Sequence, residues 1–291
     1  LNAEGKTVKD DIKDCKLSVA DKWIITKLNK TVKDVTLNME KYEMGVALAN
    51  LYDFVWNDFC DWYIEFTKPV LYGEDEEKTI DTISVLIFVL KTIIKLLHPF
   101  IPFITERIYK NLPQTSGSVM VSDYPRYSTK QNYSVAVSEI ETVKEIIKAV
   151  RNVKAKTGAA PSKKVKLYII TPKAQRIKIC SLYIEKLAGV SEMIFLTDKS
   201  ELNEKVVSQV ISGAELFIPL GELVDMQKET ERLKKELENV ENEIARASGK
   251  LANKGFLDKA PKNLVEAERA KYDNFIDMRN KLIKQIKDLE N

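Results

Sequence analysis

The sequence has few of the residues that small catalytic or disulfide-stapled proteins depend on. It holds three cysteines, Cys15, Cys60 and Cys180, far apart and with no CxxC. That argues against a disulfide framework and a cysteine zinc site, and it suits a reducing cytoplasm. There is one histidine, His98, so histidine-based metal sites are disfavoured and any Ser-His-Asp or Cys-His apparatus would hang on that residue. His98 precedes Pro99, which disfavours the helical region, so it reads as a hydrogen-bonding group at a helix end. Ten glycines, nine prolines and 44% hydrophobic residues exclude collagen-like repeats and pure disorder. Long apolar runs are missing too. Residues 80–97 come nearest, but Asp81, Lys91 and Lys95 interrupt them, which suits a buried bundle helix better than a membrane span. The opening LNAEGKTVKDD lacks the apolar region of a signal peptide. It starts on Leu rather than Met, as expected of a piece of something longer. No P-loop, GxGxxG, HExxH or GxSxG occurs. Asp58 and Asp61 lie at i, i+3 among aromatics in WNDFCDW (56–62), which predicts a bundle surface rather than a catalytic dyad. Cys60 has no base near it in sequence and reads as a small packed residue. The chain is expected to perform no chemistry on its own.

Charge is abundant and uneven. The formal net charge of +3 conceals a balance of −8 from Glu40 to Glu77, with 10 acids against Lys41 and Lys68. It also conceals +10 from Lys144 to Lys178, where 11 bases face only Glu145. Residues 222–291 carry 15 of each sign, yet Arg246 to Lys271 holds 7 bases against 3 acids. One such cluster can be a solvated surface; two separated clusters favour a polyanionic partner.

Periodicity divides the 291 residues into three units, in line with about 150 residues per domain plus an appendage. Residues 1–132 read as an antiparallel helical bundle and linker. Ser18-Val-Ala-Asp21 is a capping-box start, followed by Ile24, Leu28, Val32, Val35 and Met39 at spacings of 3 and 4. A second helix over about 42–67 places Leu48, Leu51, Tyr52, Val55, Phe59, Trp62, Tyr63 and Phe66 on its apolar face. A third covers about 77–97 and a fourth about 102–111; a polar linker follows over 114–132. Residues 133–221 mix helix and strand. The helix over 135–156 exposes Lys144, Lys148, Arg151 and Lys154. Strands are expected over 164–171 and 193–196, a helix over 174–187, and a hairpin turning at Ser212-Gly213-Ala214. Residues 222–291 form an antiparallel coiled-coil hairpin. Leu223, Met226, Thr230, Leu233, Leu237, Val240, Ile244, Ala247 and Leu251 hold a 3.5-residue repeat. After the break at 253–261, Val265, Tyr272, Phe275, Arg279, Leu282, Ile286 and Leu289 return, with Glu268 and Arg279 at core-type positions. About 28 residues at ~1.5 Å each would reach roughly 42 Å, with the excess positive charge at the tip.

The motifs LSVADKWIITKLN (17–29), LYDFVWNDFCDWYIE (51–65) and LLHPFIPFITE (96–106) resemble the anticodon-binding bundle of class I valyl-tRNA synthetases. The likeness continues through IIKAVRNVKAKTGAAPSKK (146–164) and ELFIPLGELVD (215–225). It ends in KLANKGFLDKAPKNLVEAERAK (250–271), which looks like the C-terminal coiled-coil arm of that family. The motifs are collinear over nearly the whole chain. Isoleucyl and leucyl relatives share the bundle but not this arm. The resemblance implies a mainly α fold: a class I anticodon-binding bundle, a small α+β unit and a coiled-coil hairpin. It also implies a tRNA-binding part of a valine–tRNA ligase with tRNA(Val) as partner, probed at its anticodon and outer corner. The family's HIGH and KMSKS motifs and editing domain are not in this sequence. ATP and magnesium would therefore belong to the catalytic core, which this piece would contact in the full-length enzyme, and the piece itself would need no cofactor or metal. A monomer with no membrane attachment is expected. Phosphate contacts are expected at Arg151, Lys154, Lys156, Lys163 and Lys164, and at Lys250, Lys254, Lys259 and Lys262 near the arm tip. Phe256 is expected as a stacking residue. The acidic 40–77 segment should face away from RNA with its aromatics in the core. The rival expectation is a coiled-coil module for protein interaction or dimerisation without RNA specificity.

Overall fold

A computed structural model describes residues 8–202, 204–223, 226–253 and 261–290. The chain divides into two compact units, Leu1–Lys156 with Ala160–Ile218, and Thr157–Ala159 with Pro219–Asn291.

In the first unit, α1 (Val19–Glu40) begins at a reciprocal cap. The Ser18 hydroxyl accepts from the Asp21 N–H at 3.1 Å, and the Asp21 carboxylate accepts from the Ser18 N–H at 2.8 Å. The other Asp21 oxygen accepts from the Tyr63 hydroxyl at 2.6 Å, so the start of α1 is tied to the core. The chain returns through α2 (Met44–Asp53), ten π-helical residues (Phe54–Tyr63) and α3 (Ile64–Leu71). The wider i→i+5 turn shifts the phase of the side chains, and the expected apolar face is redrawn. Leu51, Phe54, Phe59, Tyr63 and Phe66 are buried, while the Leu48–Tyr52–Trp56 stripe beside them is exposed. The expectation that the aromatics of the acidic segment are core therefore fails at Tyr52 and Trp56, which are 60% and 51% exposed, and at Tyr42 and Tyr72.

Two further helices complete the bundle: α4 (Glu76–Leu97), capped by the Asp75 carboxylate, and α5 (Pro102–Tyr109). At the end of α4, His98 Nδ1 lies 2.8 Å from the Thr105 hydroxyl, the helix-end role expected of it. The linker then crosses back over α1 and is pinned there. Buried Asn29 donates to the Ser128 carbonyl at 2.7 Å and accepts from the Ser128 N–H at 2.9 Å. The core is built on α1, where Trp23, Ile24, Ile25 and Leu28 are buried. Trp23 meets Phe66 edge-on, with ring centroids 6.0 Å apart. Each such side chain contributes roughly 1.5–3 kcal/mol by leaving water.

Helix α6 (Ser134–Lys156) packs on α1 and leads into a four-stranded sheet. Its strands are β1 (Val165–Ile170), β2 (Val190–Leu196), β3 (Val206–Ile211) and β4 (Ala214–Pro219), in the order β2-β1-β4-β3. β1 and β2 are parallel and pair Leu167 with Met193; β1 and β4 are antiparallel and pair Ile169 with Leu216. The helix expected over 174–187 is two, α7 (Ala174–Ile179) and α8 (Ser181–Ala188), broken at Cys180. Gly189 follows α8 with φ +62°, the left-handed geometry that ends a helix and feeds the parallel strand.

The second unit holds α9 (Leu220–Leu223), α10 (Met226–Ala252) and α11 (Lys262–Glu290). The two long helices close on a seam of Leu233, Val240, Leu282 and Ile286, flanked by Leu237, Ile244 and Phe275. Both polar residues expected in that seam are half-buried. Glu268 accepts from Lys250 Nζ at 3.1 Å, whereas Arg279 Nε is buried with no partner among the described residues. The expected break at 253–261 falls almost wholly outside the described residues. Among the described residues, no helix is long and apolar enough to cross a membrane.

Candidate nucleic-acid interface

The basic cluster on α6 splits into two kinds of lysine, and its linear spacing does not separate them. Lys148, Arg151 and Lys156 are exposed, as is Lys164 beyond the helix. Lys163 is half-buried. Lys144, expected on the exposed side, is buried instead. Its ammonium sits 5.1 and 5.3 Å from the Trp23 and Trp62 ring centres, and 3.5 and 3.3 Å from the Asp58 and Glu141 carboxylates. Lys27 reaches Glu141 at 2.9 Å in the same knot. Burial pushes the Asp58 carboxyl up despite these cations. Asp58 is thus an ion-pair residue joining three helical segments, while Asp61 stays exposed. Burial likewise raises the Cys60 thiol, with the nearby Asp61 adding to it, which leaves the thiol in its unreactive form.

Lys154 corrects an expectation. It is 2% exposed, and its ammonium donates to the carbonyls of Lys163, Ala188 and Gly189 at 2.5, 2.8 and 3.1 Å. It caps the C-terminus of α8, where the orphan carbonyls and the helix dipole favour a cation. Burial, and then the neighbouring Arg151, lower its pKa. The Arg151 fork joins the same cap, with Nε and Nη2 donating to the Leu187 carbonyl at 2.9 and 2.7 Å. Lys154 is therefore a structural lysine with no amine to offer a phosphate, and Arg151 is partly committed. Lys156, Lys163 and Lys164 have no ion pair among the described residues and remain presented.

At the arm, Lys250 is exposed but held by Glu268. Lys254, Phe256 and Lys259 lie outside the described residues. Lys262 opens α11, and its side chain also lies outside them.

A second basic surface has no counterpart in the sequence reading. It lies where the 123–131 crossing passes over α1 and α4. A cleft of about 340 Å³ there is lined by Lys91, Lys95 and Arg126 together with Phe88 and Tyr124. Beyond the Tyr124–Arg126 ridge, a second cleft of about 330 Å³ is lined by Lys33, Leu37 and Tyr127, among others. There the Lys33 ammonium stands 5.3 Å from the Tyr127 ring centre. Basic groups interleaved with aromatic faces suit single-stranded RNA. These residues are spread over some 95 positions, so no local charge run announces them. The SDYPRY segment (122–127), with two tyrosines around an arginine, was the one available signal.

Residues 21–169 match the family model of the anticodon-binding domain of tRNA ligase. Residues 225–290 match that of the valyl tRNA synthetase tRNA binding arm. Similar full-length proteins are named valine–tRNA ligase. The one from Clostridium acetobutylicum is 44% identical over 273 residues, 93% of this chain and 31% of the relative. Those from Clostridium perfringens and Oceanobacillus iheyensis are 42% and 40% identical, covering 98% and 100% of this chain and 33% of each relative. The chain belongs to the tRNA ligases built on this anticodon-binding domain and, within them, to the valyl-tRNA synthetase family. It spans about a third of the length of the curated relatives it matches.

Proposed function

We propose that this chain binds tRNA(Val), as the anticodon- and corner-recognising part of a valine–tRNA ligase. The observation that carries this reading is the collinear pair of matches, both to tRNA-binding modules, with the lysine-rich stretch 144–178 overlapping the end of the first. Lys156, Lys163 and Lys164, with the free edge of Arg151, neutralise tRNA phosphates beside the bundle. Lys250, Lys254, Lys259 and Lys262 do so on the arm, where Phe256 stacks on a base. Valine activation with ATP and magnesium, and transfer to the tRNA 3′ end, belong to the catalytic core of the longer enzyme. This piece turns nothing over, requires no cofactor or metal, and acts as a cytoplasmic monomer against that core.

Fluorescence anisotropy against tRNA(Val) and a non-cognate tRNA, at low and moderate salt, tests the proposal. Tighter binding of tRNA(Val) that survives the higher salt is the expected result. Equal binding of both that vanishes with salt would leave only an electrostatic clamp, and no binding at low salt would overturn the reading.

A further inference from the structure

We propose that the exposed apolar ridge on α2 and the π-helical stretch is a docking surface for an arginine-bearing amphipathic helix of a partner protein. The ridge follows from spacing. Met44, Leu48, Tyr52 and Trp56 recur every four residues, which stacks their side chains along one line of the helix. The Tyr52 and Trp56 ring centroids are accordingly 6.1 Å apart. Met44 and Leu48 are 44% and 41% exposed, and the two rings more so, while Ala47, Leu51, Phe54 and Phe59 beside them are buried in the bundle. The core is thus complete without the ridge. Several hundred Å² of apolar surface is left in water, the size that marks an interaction site on a monomer. Trp56 also lies in the π-helical stretch, a backbone form that recurs at functional sites.

Shape selects a helix as the occupant. An unbroken i, i+4 row is the ridge that a second helix accepts between its own side chains. Charge selects the sign of that helix. The next row round α2 and the π-helical stretch is Gly45, Ala49, Asp53, Asn57 and Asp61, all exposed. Glu40 and Glu43 stand exposed where the ridge begins. Asp53, Asp61, Glu40 and Glu43 have no ion pair among the described residues. The cations nearest to them are Lys41, between the two glutamates, and Lys30, which shares a groove with Asp53 on the α1 side. Around them the balance from Glu40 to Glu77 is −8, a field that repels RNA and anionic lipid headgroups alike. An arginine suits both rows at once, because its guanidinium stacks on Trp56 or Tyr52 and pairs with Asp53 or Asp61.

The probe is a fluorescein-labelled amphipathic peptide of leucine and arginine, about 18 residues or roughly five helical turns long. It is titrated with the full chain and read by anisotropy. Saturable binding is expected, weakening as salt rises from ~0.05 to ~0.2 M. Serine in place of leucine, or glutamate in place of arginine, should weaken the peptide about tenfold or more. Tyr52→Ala with Trp56→Ala in the chain should do the same. Asp53→Asn with Asp61→Asn should weaken binding about threefold and flatten its salt dependence. This second pair is wholly on the surface, so its circular-dichroism melt should not move, and whatever tRNA binding the chain shows should be unchanged. No peptide binding at low salt, or binding that ignores both pairs of substitutions, would overturn the proposal. Trp56-dependent sedimentation with vesicles of pure phosphatidylglycerol would assign the ridge to a membrane instead. A dimer of the chain that Trp56→Ala dissolves would assign it to a second copy. In the full-length ligase this tryptophan should stay open to acrylamide quenching; protection there would give the ridge to the ligase's own core and overturn the proposal.

Discussion

Replacing Lys154 with Met should unfold this chain more readily while leaving its tRNA electrostatics untouched. The Lys154 ammonium is the convergence point of three carbonyls, those of Lys163, Ala188 and Gly189. Methionine fills the stem volume but donates nothing. Hydrogen bonds to a charged donor are worth about 1.5–3 kcal/mol each. Their loss is offset by no longer burying an ammonium, whose desolvation is evident in its lowered pKa. A cation at a helix C-terminus adds about 0.3–2 kcal/mol. The net expectation is a loss of about 2–4 kcal/mol, or roughly 5–15 °C in Tm for a unit of this size. Lys154→Arg should rescue little, because a planar fork cannot point at three converging carbonyls. Circular dichroism melting gives the stability, and anisotropy at several salt concentrations gives the tRNA salt slope. Lys164→Gln is the counterpart: unchanged Tm and a shallower slope, by about one unit. A Lys154→Met protein with native Tm and a shallower slope would refute the assignment and return Lys154 to the phosphate-binding set.

Two further outcomes follow from buried groups. Tyr63 is pushed well above its usual range by burial and then by Asp21, and burial pushes Tyr183 up to about 12. A phenol raised in the folded state favours folding fully below pH 10. That advantage shrinks as pH rises, because the unfolded chain releases protons first. Urea midpoints should therefore fall steadily above pH 10, and the absorbance of these two tyrosinates should appear only with unfolding; an unchanged midpoint at pH 11 would contradict this. In the arm, Arg279→Leu should raise the stability of the hairpin by about 1 kcal/mol, since it removes a buried, unpartnered Nε and restores the apolar seam. A lower melting temperature for that variant would show that the guanidinium has a favourable role in the seam.

Much of the architecture was legible along the chain because it rests on local rules. The Ser18 cap, the 3–4 spacing behind it and the 3.5-residue seam from Leu233 to Ile244 each need only neighbours within a turn or two. The long collinear motifs carried the family. Other features needed the folded chain. Tyr52 at the end of α2, and Trp56 within the ten π-helical residues from Phe54 to Tyr63, face solvent, although they sit in a segment that reads as an ordinary amphipathic helix. Lys144 and Lys154 are, by composition, indistinguishable from Lys148 and Lys164. Folding sends one between two tryptophans and another onto a helix end built 34 residues later, and leaves the others in water. The pocket of Lys91, Lys95 and Arg126 exists only because the linker crosses back over α1 and α4. A charge count registers how many lysines a segment has, but whether an ammonium meets water, a carbonyl or an empty cleft depends on which distant backbone arrives beside it.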